Sequence, residues 1–199
     1  SFEDSSDKID KLENSFKKFN GCNLKKTATN IINFQGSKKA DILFIDGTPD
    51  TEEDKVGKSF VSAKGDLFDK MLNAIKLKKN DIFIVNAIPW RPPGNRYPTA
   101  EEIKICRPFI FNLIKLLRPK IIVCLGEIST NQILHLNQSF IKTRGKWHSL
   151  KSNPINDFDE EYNPYVLPTL NISYLLTRPD MKRQAWEDMK LLRDKIREI

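Results

Sequence analysis

A chain of 199 residues, 39% hydrophobic and 30% charged, is long enough for one ordinary domain and too apolar for a disordered segment. No apolar run approaches the roughly 18 residues of a membrane span, and the opening residues are too polar for a signal peptide. Lys and Arg number 33 against 26 Asp and Glu, and the net charge of +7 fits either a polyanionic partner or a Lys-rich solvated face. Cys22, Cys106 and Cys124 are odd in number, widely spaced and without a C-x-x-C pair. They exclude a disulfide framework and an obvious zinc site, and they fit a reducing compartment, here the cytoplasm.

Residues 4–19 carry Ile9, Leu12, Phe16 and Phe19 at near-helical spacing and predict an amphipathic N-terminal helix. Residues 1–22 are expected to pack as that helix on a domain spanning 23–199. Ile42 to Ile45 reads as a short buried strand ending in Asp46-Gly47-Thr48-Pro49. Leu67, Phe68, Met71, Leu72 and Ile75 mark a second helix, and Ile82 to Val85 the next strand. The loop from Pro89 to Pro98 stops that strand. Residues 100–117 predict a third helix, with Pro108 either kinking it or sitting near its first turn. Ile121 to Leu125 is an all-apolar strand in which Cys124 reads as a small core residue, followed by Gly126 and a helix to about Leu136. Residues 151–165 read as a surface loop, and a last helix begins near Asp180.

Alternating helices and short unbroken apolar strands indicate a three-layer α/β/α sandwich with a mainly parallel sheet. Ligands of such folds collect beyond the carboxyl ends of the strands. The loops after Ile45, after Val85 and near Leu170 are expected to meet there. Lys76-Leu77-Lys78-Lys79 reads as solvated surface.

Several blocks resemble the family 4 uracil-DNA glycosylases. Asp46 to Asp54, Gly57-Lys58-Ser59-Phe60-Val61 and Gly65 to Leu72 resemble the block GEAPG-x-x-ED-x-x-G-x-PFVG-x-AG-x-LLD. Asn86 to Pro98 resembles N-x-x-K-C-RPP-x-NR-x-P, and Glu102-Ile103 to Phe109 resembles E-I-x-x-C-x-P-[FY]. Arg118 to Gly126 resembles the kPkvIvaLG strand, Arg144-Gly145 the later RG, and Pro168 to Leu176 the block PTYHPSYLL. The blocks stand in family order over about residues 20–195.

The resemblance implies a glycosylase that flips a base from DNA and breaks its N-glycosidic bond. Phe60 takes the position that stacks on the flipped base, although a core role is the alternative. Asn86, an amide that both donates and accepts, matches the residue that reads the uracil edge. Gly47 and Thr48 fall in the uracil-binding loop. Arg91, Asn95, Arg96, Arg144, Lys146 and Arg178 are expected to clamp phosphates, and Leu175 resembles the apolar wedge entering the duplex.

The pattern is broken at the first-block acid, at the last-block His and at the cluster. Gly47 replaces the first-block Glu, and the adjacent Asp46 could serve only if the loop is rebuilt. Asn171 replaces the last-block His and offers a neutral hydrogen bond to the departing base. His148 reads as a surface histidine or a spatial substitute for it. The family's [4Fe–4S] cluster is held by four cysteines, but Phe19 and Trp90 stand at two of those positions beside Cys22 and Cys106. No cluster and no other cofactor is therefore expected, with Cys22 and Cys106 as free remnants of the site. The expected partner is DNA containing uracil or another deaminated base, bound by a nucleoid-associated monomer. The alternative is a weakly active or inactive member serving as a DNA- or partner-binding module.

Overall fold

A computed structural model describes residues 2–136, 138–152 and 157–199. The expected loop over 151–165 thus lies partly outside the described residues. Among those residues, the chain runs α1 (Phe2–Lys18), α2 (Leu24–Thr27), β1 (Gln35–Gly36), β2 (Ile42–Asp46), α3 (Thr51–Val56), α4 (Ser62–Ala74) and β3 (Ile82–Asn86). It continues through α5 (Ala100–Leu117), β4 (Ile121–Leu125), α6 (Glu127–Ile133), α7 (Phe140–Thr143) and β5 (His148–Ser149). The last elements are β6 (Tyr165–Thr169), α8 (Ile172–Thr177) and α9 (Lys182–Glu198).

The sheet has the order β1-β3-β2-β4-β6-β5, its four central strands parallel and its two-residue edge strands antiparallel. Every residue of β2, β3 and β4 is buried, because helices cover both faces, and an unbroken apolar run is what such a strand requires. On one face Leu43, Ile45, Phe83, Val85 and Ile122 pack with Ile9, Phe16, Ile110 and Ile133 from α1, α5 and α6. On the other, Ile42, Phe44, Ile84 and Val123 meet Phe68 and Leu72 of α4 and Met189 and Leu192 of α9. The result is the expected α/β/α sandwich. None of its described helices is long and apolar enough to cross a membrane.

One central strand departs from the sequence reading. Tyr165–Thr169 is a central parallel strand despite Pro168, since β5 pairs only with Tyr165 and Val166. Opposite Pro168 the ladder is open and its carbonyl accepts from Gly145 N at 2.8 Å, so the missing N–H costs nothing there. Pro108 lies well inside α5, which opens at a Thr99–Glu102 capping box and not near the proline.

Candidate active site

The chain leaves β2 toward β3 and leaves β4 toward β6, so the crevice of this sheet opens between the carboxyl ends of β2 and β4. Gly47 follows β2 on one side, and Gly126, Glu127 and Ile128 follow β4 on the other. A Cβ on Gly47 would lie 3.1 Å from Ile128 Cδ1, so these two walls touch. Gly126, at φ 98°, carries the turn into α6, and a Cβ there would sit 2.9 Å from Asn171 Cβ. Only glycine satisfies both constraints.

Asp46 and Asn86 end β2 and β3 in direct register, so both side chains leave the same face of the sheet. Asn86 accepts from Ser59 Oγ at 2.7 Å and donates to the Gly47 carbonyl at 3.3 Å. This fixes the amide's orientation and leaves it one N–H and one lone pair. Phe60 is strained at φ 55° and stacks on Phe68 with centroids 4.0 Å apart. Gly65 permits that turn, because a Cβ there would meet the Phe60 carbonyl at 2.2 Å.

Glu53 holds the turn electrostatically. Its Oε2 accepts from Phe60 N at 2.7 Å, while Oε1 accepts from Asp50 N at 3.1 Å and from Lys64 Nζ at 2.9 Å. Lys64 also donates to Asp46 Oδ2 at 2.6 Å and lies 5.2 Å from the Phe60 ring centroid. Lys64, Asp46 and Glu53 are all inaccessible to solvent or nearly so. Burial pushes the Glu53 carboxyl above its ordinary range against the pull of Lys64, and the Asp46 and Glu53 charges hold the Lys64 ammonium above its own despite burial. Asp46 Oδ1 is buried without a partner. Ser59, Glu53 and Lys64 were not singled out by sequence reasoning; the signals were Glu53 at the acid of the block's E-D pair, Ser59 at its Pro and Lys64 at its Ala.

A cavity of about 580 Å³ opens beyond β4 and β6, within the roughly 300–1,000 Å³ usual for ligand sites. Ile128, Tyr97, Arg144, Asn171 and Tyr174 line it. Asn171 caps α8 by accepting from Tyr174 N at 3.2 Å. Asn171 thus lines the open cavity, whereas Phe60 and Asn86 are buried and do not line it. His148 sits on β5 opposite Val166 and contacts the Thr143 carbonyl at 3.0 Å, away from the carboxyl end of β6. It does not substitute for Asn171.

Most of the residues expected to contact DNA have partners within the fold. Arg96 forms a two-pronged pair with Glu102, Arg178 pairs with Asp180, and Arg91 donates to Asn95 Oδ1 while Asn95 Nδ2 donates to Thr51 Oγ1. Arg144 binds Asp188 through both carboxylate oxygens at 2.9 and 2.7 Å, and Thr169 donates to the same carboxylate. Arg144 Nη1 therefore ties the segment after α7 to α9, and Thr169 ties β6 to the same carboxylate. Lys146 is exposed. Leu175 is buried with Leu170 and Ala185 and is not an exposed wedge; its neighbours Tyr174 and Leu176 are the exposed ones, because α8 turns its 172/175 face inward.

Cys22 and Cys106 meet in the core as hydrogen-bonded thiols, an arrangement that pulls the Cys22 thiol down to about 7 and, with burial, pushes Cys106 up. At the two remaining cluster positions stand Phe19 and Trp90. Trp90 is fully buried, edge-on to Phe16 at 5.4 Å, and Phe16 stacks on Phe109 at 4.1 Å. Two thiols walled by aromatic rings do not fit a four-thiolate cluster. Among the described residues no group of three or more His, Cys, Asp or Glu is placed to hold a metal. Trp90→Ala should cost about 3–5 kcal/mol of stability, read as a lower urea midpoint at unchanged slope.

The Asn86 amide stands at the carboxyl end of a parallel sheet strand, the side of an α/β fold on which ligands collect. The model of the uracil DNA glycosylase superfamily matches residues 34–190, and the chain belongs to that superfamily. It is 33% identical over 193 residues to the type-4 uracil-DNA glycosylase of Sulfurisphaera tokodaii, covering 94% of this chain and 84% of that one. The type-4 uracil-DNA glycosylase of Saccharolobus solfataricus is 32% identical over 195 residues, 96% and 87% of the two chains. That of Thermotoga maritima is 33% identical over 177 residues, 87% of each.

Proposed function

We propose that this chain excises uracil, or a closely related deaminated base, from DNA by hydrolysing its N-glycosidic bond, the first step of base-excision repair. The observation that carries the reading is the Asn86 amide, pre-oriented by Ser59 and Gly47 beside the Phe60 ring with one donor and one acceptor unspent. That pair complements the N3–H and O4 of uracil and mismatches the amino group of cytosine. The base enters from the open cavity past Ile128, which must swing off Gly47 to admit it. As the C1′–N1 bond breaks, its electron pair leaves on uracil, and the Asn171 amide can donate a neutral hydrogen bond to that charge. Asn171→His should raise the rate of release about tenfold or more, at the cost of about 1 kcal/mol for the lost α8 cap. An unchanged rate would remove Asn171 from the reaction.

DNA is held at the rim of the cavity. The exposed pairs Arg96–Glu102 and Arg178–Asp180 can exchange carboxylate for phosphate at little cost. Lys146→Ala should reduce the slope of log affinity against log salt by about one, whereas Arg144→Ala should instead lower the unfolding midpoint. The protein works without an iron–sulfur cluster, because its donor set and the packed Trp90 leave no four-thiolate site. Iron and sulfide analysis of anaerobically purified protein tests this, and stoichiometric iron would refute it.

A second reading, a binding module of low or no activity, is favoured by Gly47 and Asn171 in place of the block's Glu and His and by the burial of Asn86. Excision from uracil-containing single- and double-stranded oligonucleotides separates the two. No release at any enzyme excess would overturn the enzymatic reading, and salt-dependent affinity retained in that case would favour the module.

A further inference from the structure

We infer that Asp46, oriented by Lys64, takes over as the carboxylate of the active site, with Lys64 its positioning residue; this rests on the glycosylase reading. Three departures from the block are physically one. Where the pattern has Gly, Glu and Ala, this chain has Asp46, Gly47 and Lys64. The carboxylate has moved back by one residue to the end of β2, and the lysine bonded to it at 2.6 Å offsets its buried charge. Lys64 also pairs with Glu53, so it is Asp46 whose buried charge depends on the lysine.

The remaining groups single out Asp46. Glu53 has spent its oxygens on three donors, Phe60 N, Asp50 N and Lys64 Nζ. Gly47 has no room for a side chain while Ile128 stays against it. Asp46 gives Oδ2 to Lys64 and keeps Oδ1, fully buried, without a partner among the described residues. Buried carboxylate oxygens are almost always hydrogen-bonded, so Oδ1 is an acceptor set for a donor that arrives with the substrate. It stands in register with Asn86, the residue proposed to hold the base. In the step we assign to it, a water donates to Oδ1 and its oxygen bonds to C1′ as the C1′–N1 bond breaks. The electron pair leaves on uracil, and the water proton passes to Asp46 and then to the released base. The products are uracil and an abasic deoxyribose, with no change in oxidation state.

The test is single-turnover uracil release and DNA affinity for the unmodified chain, Asp46→Asn, Lys64→Gln, the double variant Asp46→Gly/Lys64→Ala, and that double variant with Gly47→Glu and Ile128→Ala. Asp46→Asn and the double variant should lose about 100-fold or more in the rate of release at unchanged affinity. Lys64→Gln should lose less, and again in rate and not affinity. The quadruple variant, with the carboxylate returned to position 47, should regain at least about tenfold over the double. If Asp46→Asn does not fold, the double variant, which removes both charges together, decides. Release by the double variant within about threefold of the unmodified chain would overturn the inference alone. No release by the unmodified chain would overturn the glycosylase reading and this inference with it.

Discussion

Asn86→Ala is expected to lower the rate of uracil release by about two to three orders of magnitude, the usual cost of losing one pre-oriented donor at a reacting group. The loss should appear in the single-turnover rate and in discrimination between uracil and cytosine. The substitution also takes from Ser59 Oγ its buried acceptor and leaves the Gly47 carbonyl with only the long bond from Ile88 N. Unfolding in urea should therefore show a deficit of about 1–3 kcal/mol. Asn86→Asp separates the two effects. It keeps an acceptor for Ser59 but presents a carboxylate where uracil O4 needs a donor, so release should fall further than stability.

The second large effect is on folding. Lys64→Met leaves Asp46 and Glu53 buried together without a countercharge, and it should cost about 3–5 kcal/mol in urea or thermal unfolding. The sign of its pH dependence follows from Glu53. Burial already raises this carboxyl above its ordinary value of 4.5, with Lys64 opposing the rise. Removing Lys64 raises it further. A carboxyl whose folded value lies above its unfolded one favours folding while protonated, and that contribution is lost as pH rises through the folded value. The deficit of Lys64→Met should therefore be smallest near pH 4.5 and grow toward neutrality. A deficit independent of pH would mean that the triad's charges are not what Lys64 stabilises.

The strands of the sheet were legible because helices cover both faces, and a strand so placed must be apolar at every position. Glycine positions were legible for a similar reason, since Gly47, Gly65 and Gly126 each face a neighbour that admits no Cβ without displacement. β6 was not, because Pro168 argues against a central strand until β5 is known to stop short of it. Leu175 was assigned the wedge by position alone. Which way it points depends on how α8 lies against Leu170 and Ala185.

Sequence alone therefore determined the layered fold, the superfamily, the place of Asn86 at the end of a strand, and the shortage of thiols for a cluster. These follow from local patterns of apolar, glycine and cysteine positions. Tertiary structure decided the fate of the charges. Lys64 finds Asp46 18 residues away, and Arg144 finds Asp188 44 residues away. Whether a lysine or arginine meets solvent, phosphate or a buried carboxylate depends on which groups folding brings within about 3 Å, and on the desolvation they then share. The net charge of +7 thus overstates the basic surface offered to DNA, since Arg96, Arg144 and Arg178 already face carboxylates within the fold.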